Sequence, residues 1–224
     1  MQRIEPFFFH YHPYRIFIPD GATKIIVGTL PPPRFSIGKL REKDVDFCYG
    51  SCDGLLWPVL DVIFDLSLRY DNSAQAIAQR EKFLIREKIG ICDIVEFCYR
   101  EKIDASDLGM NDIHLRDIIA QIDLHPTLHT LIFTGGNSKN GPEYLFRRQL
   151  HSHGLRLRAI GHVRPRQHQF SYAGREITTI SLTSPSKAAN RAIGSSDLYK
   201  LRKTENPAFT PFDFRVEQYK KVFL

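Results

Sequence analysis

The chain has 224 residues, 42% of them hydrophobic and 25% charged, with a net charge of +6. That apolar share supports a packed core and excludes a disordered chain, and no apolar run approaches the ~18 residues of a membrane span. The early stretch "PFFFHYHPYRIF" is broken by His, Pro and Arg, so it does not read as a signal peptide, and the expected compartment is the cytoplasm.

In chain order, "TKIIVGTL" (23–30) reads as a buried β-branched strand running into Pro31, Pro32 and Pro33. "DGLLWPVLDVIFDL" (53–66) has helical apolar spacing, with Pro58 tolerable only near the first turn. A second helix follows over 72–88, capped by Asn72 or Ser73. "IGICDIVEFC" (89–98) reads as one strand or a strand and turn, and "NDIHLRDIIAQI" (111–122) as a capped helix. "LHTLIFTGG" (128–136) is a third buried strand ending on glycines, and 142–154 a helix stopped by Gly154. "LRLRAIG" (155–161) alternates like a strand, 169–182 reads as a hairpin turning at Ala173-Gly174, and 211–224 as a last helix. Strands alternating with helices predict an α/β fold, a three-layer α/β/α sandwich with a short, mainly parallel central sheet. No repeat or linker divides it, so one domain over 1–224 is expected.

Ligands of such sheets bind at the carboxyl ends of the strands. The strand-end loops "GTLPPPR", "CDIVE", "TGGNS" and "TSPSKAAN" are therefore expected to meet at one rim. Gly28 permits close approach to the main chain. "TGGNS" could cradle a phosphate or a base, but it lacks the Lys-Ser/Thr of a nucleotide-hydrolysing loop. In "FCYGSCDG", Tyr49 either stacks on a planar base or sits in an apolar cluster. Asp53 is a helix cap or a catalytic carboxylate, and Asp93, inside an apolar strand, needs either a partner or a ligand.

Charge is unevenly placed. No acid lies between Glu143 and Glu176, a window that holds Arg147, Arg148, Arg156, Arg158, Arg164, Arg166 and Arg175 with His151, His153, His162 and His168. Such a stretch suits a phosphate backbone. The cysteines, Cys48, Cys52, Cys92 and Cys98, are spaced C-x3-C and C-x5-C, which matches no zinc pattern well. Free thiols are the expected state, an iron–sulfur or zinc site the alternative.

Taken in order, these segments resemble the uracil-DNA glycosylase superfamily, most closely its hypoxanthine/uracil branch (family 6). "IIVGTLPPP" resembles the first active-site motif, "FCYGSCDGLLW" the aromatic-led segment, and "IGICDIVEFCYREKIDASD" the segment G-I-x-x-W-D-V-V-x-x-C-x-R, with Gly90, Asp93, Val95, Cys98 and Arg100 in place. "NDIHLRDII", "LIFTGGNS" and "TSPSKAAN" are similar to the remaining motifs, so the likeness spans roughly 23–195. The resemblance implies hydrolysis of the base–sugar bond in DNA without metal or cofactor; the sequence shows no heptad or obvious interface, so a monomer is expected. It implies catalytic positions at Gly28, Thr29, Leu30, Pro31 and Asp53, and a base held by Tyr49, Asp93, Thr134 and Gly135. It implies a DNA grip from Ser184, Pro185, Ser186, Lys187, Asn190 and Arg191.

Departures from the pattern fall on water activation. Leu30 stands where many members carry Asp or Asn, and Gly54 where the branch has Asn, so Asp53 and Thr29 are the stand-ins. The closing-motif His is absent, with Thr183 in its neighbourhood; His162 and His168 lie in a basic insert over 161–177 that could reach the site. A glycosylase fold that binds nucleic acid without cutting is the alternative function, and a hydrolase of free nucleosides or nucleotides a third.

Overall fold

The computed structural model describes residues 7–161 and 164–224. Its strands are β1 (Phe8–Tyr11), β2 (Lys24–Gly28), β3 (Ile89–Asp93), β4 (Val95–Arg100), β5 (Asn111–Leu115), β6 (Thr130–Phe133), β7 (Arg158–Ile160), β8 (Arg166–Tyr172) and β9 (Arg175–Ser181). Its helices are α1 (Pro33–Ser36), α2 (Leu56–Phe64), α3 (Ala74–Glu87), α4 (Ile118–Leu124), α5 (Pro142–Ser152), α6 (Asn190–Gly194), α7 (Asp197–Glu205) and α8 (Pro211–Phe223).

The central sheet runs β3-β2-β6-β9-β8-β7. Its first four strands are parallel, and the β8–β9 and β7–β8 pairs are antiparallel. Alternation on β2 and β6 splits the core in two. Ile25, Val27, Leu131 and Phe133 face α4 and α5, whereas Ile26 and Ile132 face α2, α3 and α8. The fold is the expected three-layer α/β architecture. Local chemistry sets the boundaries. Ser73 caps α3 by accepting from the Ala76 N–H, and Thr210 with Asp213 forms a reciprocal capping box on α8. Ala173 (φ 48°) and Gly174 (φ 73°) make the two-residue turn of the β8–β9 hairpin.

Two segments depart from the sequence reading. The strand expected over 89–98 is two strands in different sheets. The chain turns at Ile94, whose N–H donates to the Gly28 carbonyl (2.9 Å), and β4 leaves to form a small antiparallel sheet β1-β4-β5. The helix expected over 111–122 begins late. Asn111–Leu115 pairs with β4 across register shifts, and only then does Asp117 cap α4 through the Ala120 N–H (2.9 Å). Pairing with a waiting strand overrode local helical spacing. β7 is a short, fully exposed edge strand, shorter than expected. β1, α1, α6 and α7 have no counterpart among the expected elements.

Candidate active site

A cavity of about 970 Å³ opens at the carboxyl ends of β2, β3, β6 and β9, lined by residues of all four strand-end loops. Tyr49 and Asp93 meet over β2. A Cβ on Gly28 would overlap the Tyr49 hydroxyl and Asp93 Oδ1, so this glycine makes room for those two side chains. The Tyr49 hydroxyl also meets Thr134 Oγ1 at 3.0 Å. Burial, then the neighbouring Asp93, pushes the phenol well above its ordinary range and keeps it neutral. Tyr49 is half-buried: it packs against the α2/α3 core and still lines the cavity.

Tyr49 has a left-handed backbone (φ 58°), a conformation costly for a side chain of its size. A tight loop imposes it. Val45 N donates to Gly50 O (2.7 Å), Gly50 N to Phe47 O (2.9 Å), and Trp57 Nε1 to Cys48 O (2.8 Å). Buried Asp44 anchors the loop, accepting from Arg34 Nε, Arg34 Nη2, Arg41 N and Cys52 N, each at 2.8 Å.

Asp93 is 4% exposed and its Oδ2 lies 2.9 Å from His12 Nε2. On the other side of the ring, His12 Nδ1 lies 3.0 Å from Tyr14 O and 3.1 Å from Tyr14 N, which fixes the imidazole with Nε2 facing the Asp93 carboxylate. Its Oδ1 takes no hydrogen bond among the described residues. His12 did not enter the sequence reading. Its signal was there: His10 and His12 alternate inside an aromatic run, a period-2 pair on one strand face. His10 is also buried. Burial and then Arg100 lower its pKa to about 4, and its Nδ1 accepts from Arg100 Nε (2.7 Å).

Thr29, Leu30 and Pro31 line the cavity, while Gly28 lies beneath it. Asp53 lines the rim but is bound in charge pairs, 2.8 Å from Arg41 Nη1 and 3.6 Å from Arg34 Nη2. Thr134 and Gly135 form the β6 edge. Asp107, in a 3-10 turn (Asp107–Gly109) between β4 and β5, lines the cavity too and escaped the sequence reading. Burial raises its pKa to about 6, with the Thr29 hydroxyl and then Arg100 pulling it down and Asp93 pushing it up.

The closing loop is clamped from behind. Arg215 of α8, fully buried, donates to Ser184 O (2.9 Å), Ser186 O (2.7 Å) and Asn190 Oδ1 (2.9 Å). Asn190 thus faces Arg215, not the cavity. Ser184, Pro185 and Ser186 line the cavity, and Lys187 and Arg191 are exposed beside it. Pro185 O accepts from Leu55 N (2.8 Å), and Gly54 bridges Ser186, so the closing loop and the aromatic loop are joined across the rim.

The basic window is only partly free. Arg147 pairs with Glu143, Arg158 with Glu176, and Arg175 donates to backbone carbonyls. Arg164 and Arg166 line the mouth with no ion pair among the described residues. His168 is buried against Arg147 (2.9 Å) and does not line the cavity; His162 lies outside the described residues. Cys48, Cys92 and Cys98 are buried thiols, Cys52 an exposed one, and all four are unbridged. No helix among the described residues is long and apolar enough to cross a membrane.

The chain superposes on the solution NMR structure of a candidate uracil DNA glycosylase from Methanosarcina acetivorans with a TM-score of 0.52, over 88% of this chain and 96% of that one. It has a uracil-DNA-glycosylase-like fold. Sequence identity is 16%, so the likeness is one of architecture. No family model and no curated protein matches the sequence. In this glycosylase-like fold the cavity occupies the sheet end where α/β proteins place their ligands.

Proposed function

We propose that the protein is a DNA N-glycosylase that hydrolyses the base–sugar bond of a deaminated base, uracil first and hypoxanthine second, as in the family 6-like branch. The observation that carries this reading is the convergence of Tyr49, Asp93 and Thr134 in one cavity whose rim holds the Ser184–Pro185–Ser186 loop and Arg164 and Arg166.

A base inside a duplex must be extruded before its glycosidic bond can be reached. The cavity is large enough for a nucleotide. Tyr49 offers a neutral ring for stacking, worth about 1–3 kcal/mol per base. Asp93, oriented by His12, offers Oδ1 to an N–H on the base edge. Thr134 and Gly135 border the place where charge develops on the departing base, and donors there act in a low dielectric. The serine loop and exposed Lys187 and Arg191 contact phosphates, which fixes register without reading sequence.

The test is incubation with duplex and single-stranded oligonucleotides, each carrying one uracil, hypoxanthine, xanthine or G·T mismatch, followed by alkali. Strand breaks at uracil or hypoxanthine are expected. Salt-sensitive binding with no break at any lesion would instead favour a non-cutting reader of nucleic acid. The absence of a carboxylate from the first loop, where Leu30 stands, is what keeps that second reading in view.

A further inference from the structure

We propose that Asp107, on the turn between β4 and β5, is the carboxylate that activates the hydrolytic water, an assignment that rests on the glycosylase reading above. Three carboxylates line the cavity among the described residues: Asp53, Asp93 and Asp107. Asp53 is neutralised at the rim by Arg41 and Arg34. Asp93 holds His12 with Oδ2 and, in the reading above, turns Oδ1 to the base edge, so it is engaged as the base contact. Asp107 alone of the three makes no ion pair among the described residues, and it sits beside Thr29, just past the end of β2. It therefore fills from another loop the role that Leu30 cannot take.

The turn that carries it is fixed on both sides. Arg100, itself 1% exposed and braced by His10, donates from Nη1 to Ser106 O at 2.6 Å. Asn140 Nδ2 donates to Asp107 O (3.0 Å) and Met110 O (3.4 Å). A catalytic base needs such support, since an ångström of play loses much of its effect. The charged and titratable groups around it are Arg100 on β4, Asp93 on β3 with its partner His12, Asp104 on the same loop, and Lys139 on the β6 loop. Burial in this company brings the carboxyl to about 6, which leaves it ionised at neutral pH yet still basic enough to take a proton.

In the step, Asp107 accepts a proton from water as the water oxygen bonds to C1′ of the sugar. The C1′–N bond breaks and its electron pair leaves with the base. Solvent returns a proton to the base, and Asp107 loses its own to solvent. One water is consumed, giving free base and an abasic sugar.

The test compares the parent, Asp107→Asn and Thr29→Val in single-turnover cleavage of the lesion oligonucleotide from pH 4.5 to 9. The parent rate should rise about tenfold per pH unit below ~6 and level off above. Asp107→Asn should lose about 10²–10⁴-fold on the plateau and lose the acidic limb, with lesion binding within about threefold. Thr29→Val removes the hydroxyl that pulls the Asp107 pKa down and should move the limb to higher pH. Carbon-13 NMR of the Asp107 carboxyl should titrate near 6 in the free parent. Cleavage by Asp107→Asn within tenfold of the parent, or an unmoved limb in that variant, overturns the assignment and leaves the glycosylase reading standing. A parent that cleaves no lesion overturns both.

Discussion

Gly28 illustrates how one missing side chain shapes the site. In the sequence Gly28 suggests an opening for ligand; in the structure Tyr49 and Asp93 fill that opening. Gly28→Ala forces a methyl into the space of a hydroxyl and a carboxylate, both tethered, by Thr134 and His12. We expect a loss of about 1–3 kcal/mol, the usual cost of overpacking, and at least a hundredfold drop in cleavage. Urea unfolding and single-turnover cleavage read the two separately; an unchanged midpoint would mean that Tyr49 and Asp93 move aside freely. Tyr49 and Asp93 were legible because a tyrosine in a short glycine-bearing aromatic stretch and an acid in an apolar strand are locally odd. His12, Asp107 and Arg215 were not, since each acts on a segment far away in sequence and only the tertiary fold reveals its partner.

At the scale of elements, the loop that presents Tyr49 hangs on Asp44. Burial alone would raise that carboxyl's pKa, but Arg34 and the N–H groups of Cys52 and Arg41 hold it well below the usual carboxylate range. A carboxyl depressed on folding stabilises the native state fully above its unfolded value, 3.8, and loses that contribution only as pH falls through the lower folded value. Asp44→Asn should therefore cost the same at pH 7 as at pH 5. The cost should be about 2–3 kcal/mol, less than for a wholly buried pair because Arg34 keeps some solvent and a second acid, Asp53, nearby. That corresponds to roughly 4–12 °C in melting temperature. Melting curves at the two pH values check it, and a variant within 1 °C of the parent would show that the loop stands without Asp44. The Ser73 cap and the Ala173-Gly174 turn were readable as local chemistry, whereas Asp53 caps no helix, since Leu55 stands at the start of α2. The β4–β5 excursion was not, because register shifts and pairing partners leave little trace in a short window.

At the scale of the molecule, the excess positive charge resolves into a few useful cations. Three of the seven arginines in the acid-free window, Arg147, Arg158 and Arg175, are spent on carboxylates or carbonyls, whereas Arg164 and Arg166 stand at the cavity mouth. The double variant Arg164→Ala/Arg166→Ala should weaken binding to any duplex and flatten the plot of log affinity against log salt by up to about 2, near 0.9 for each phosphate no longer neutralised. An unchanged slope would place the DNA elsewhere. Order of elements and the meeting of four strand ends were legible from the alternation of strands and helices. Which charges remain free was not, since pairing depends on the folded surface.

Helix α8 touches the cavity only through Gln218, yet its Arg215 ties down the loop that closes the rim. The same helix sends Tyr219 and Phe223 into the core beneath Ile26 and Ile132, so the hold on the rim and the packing of one sheet face stand or fall together.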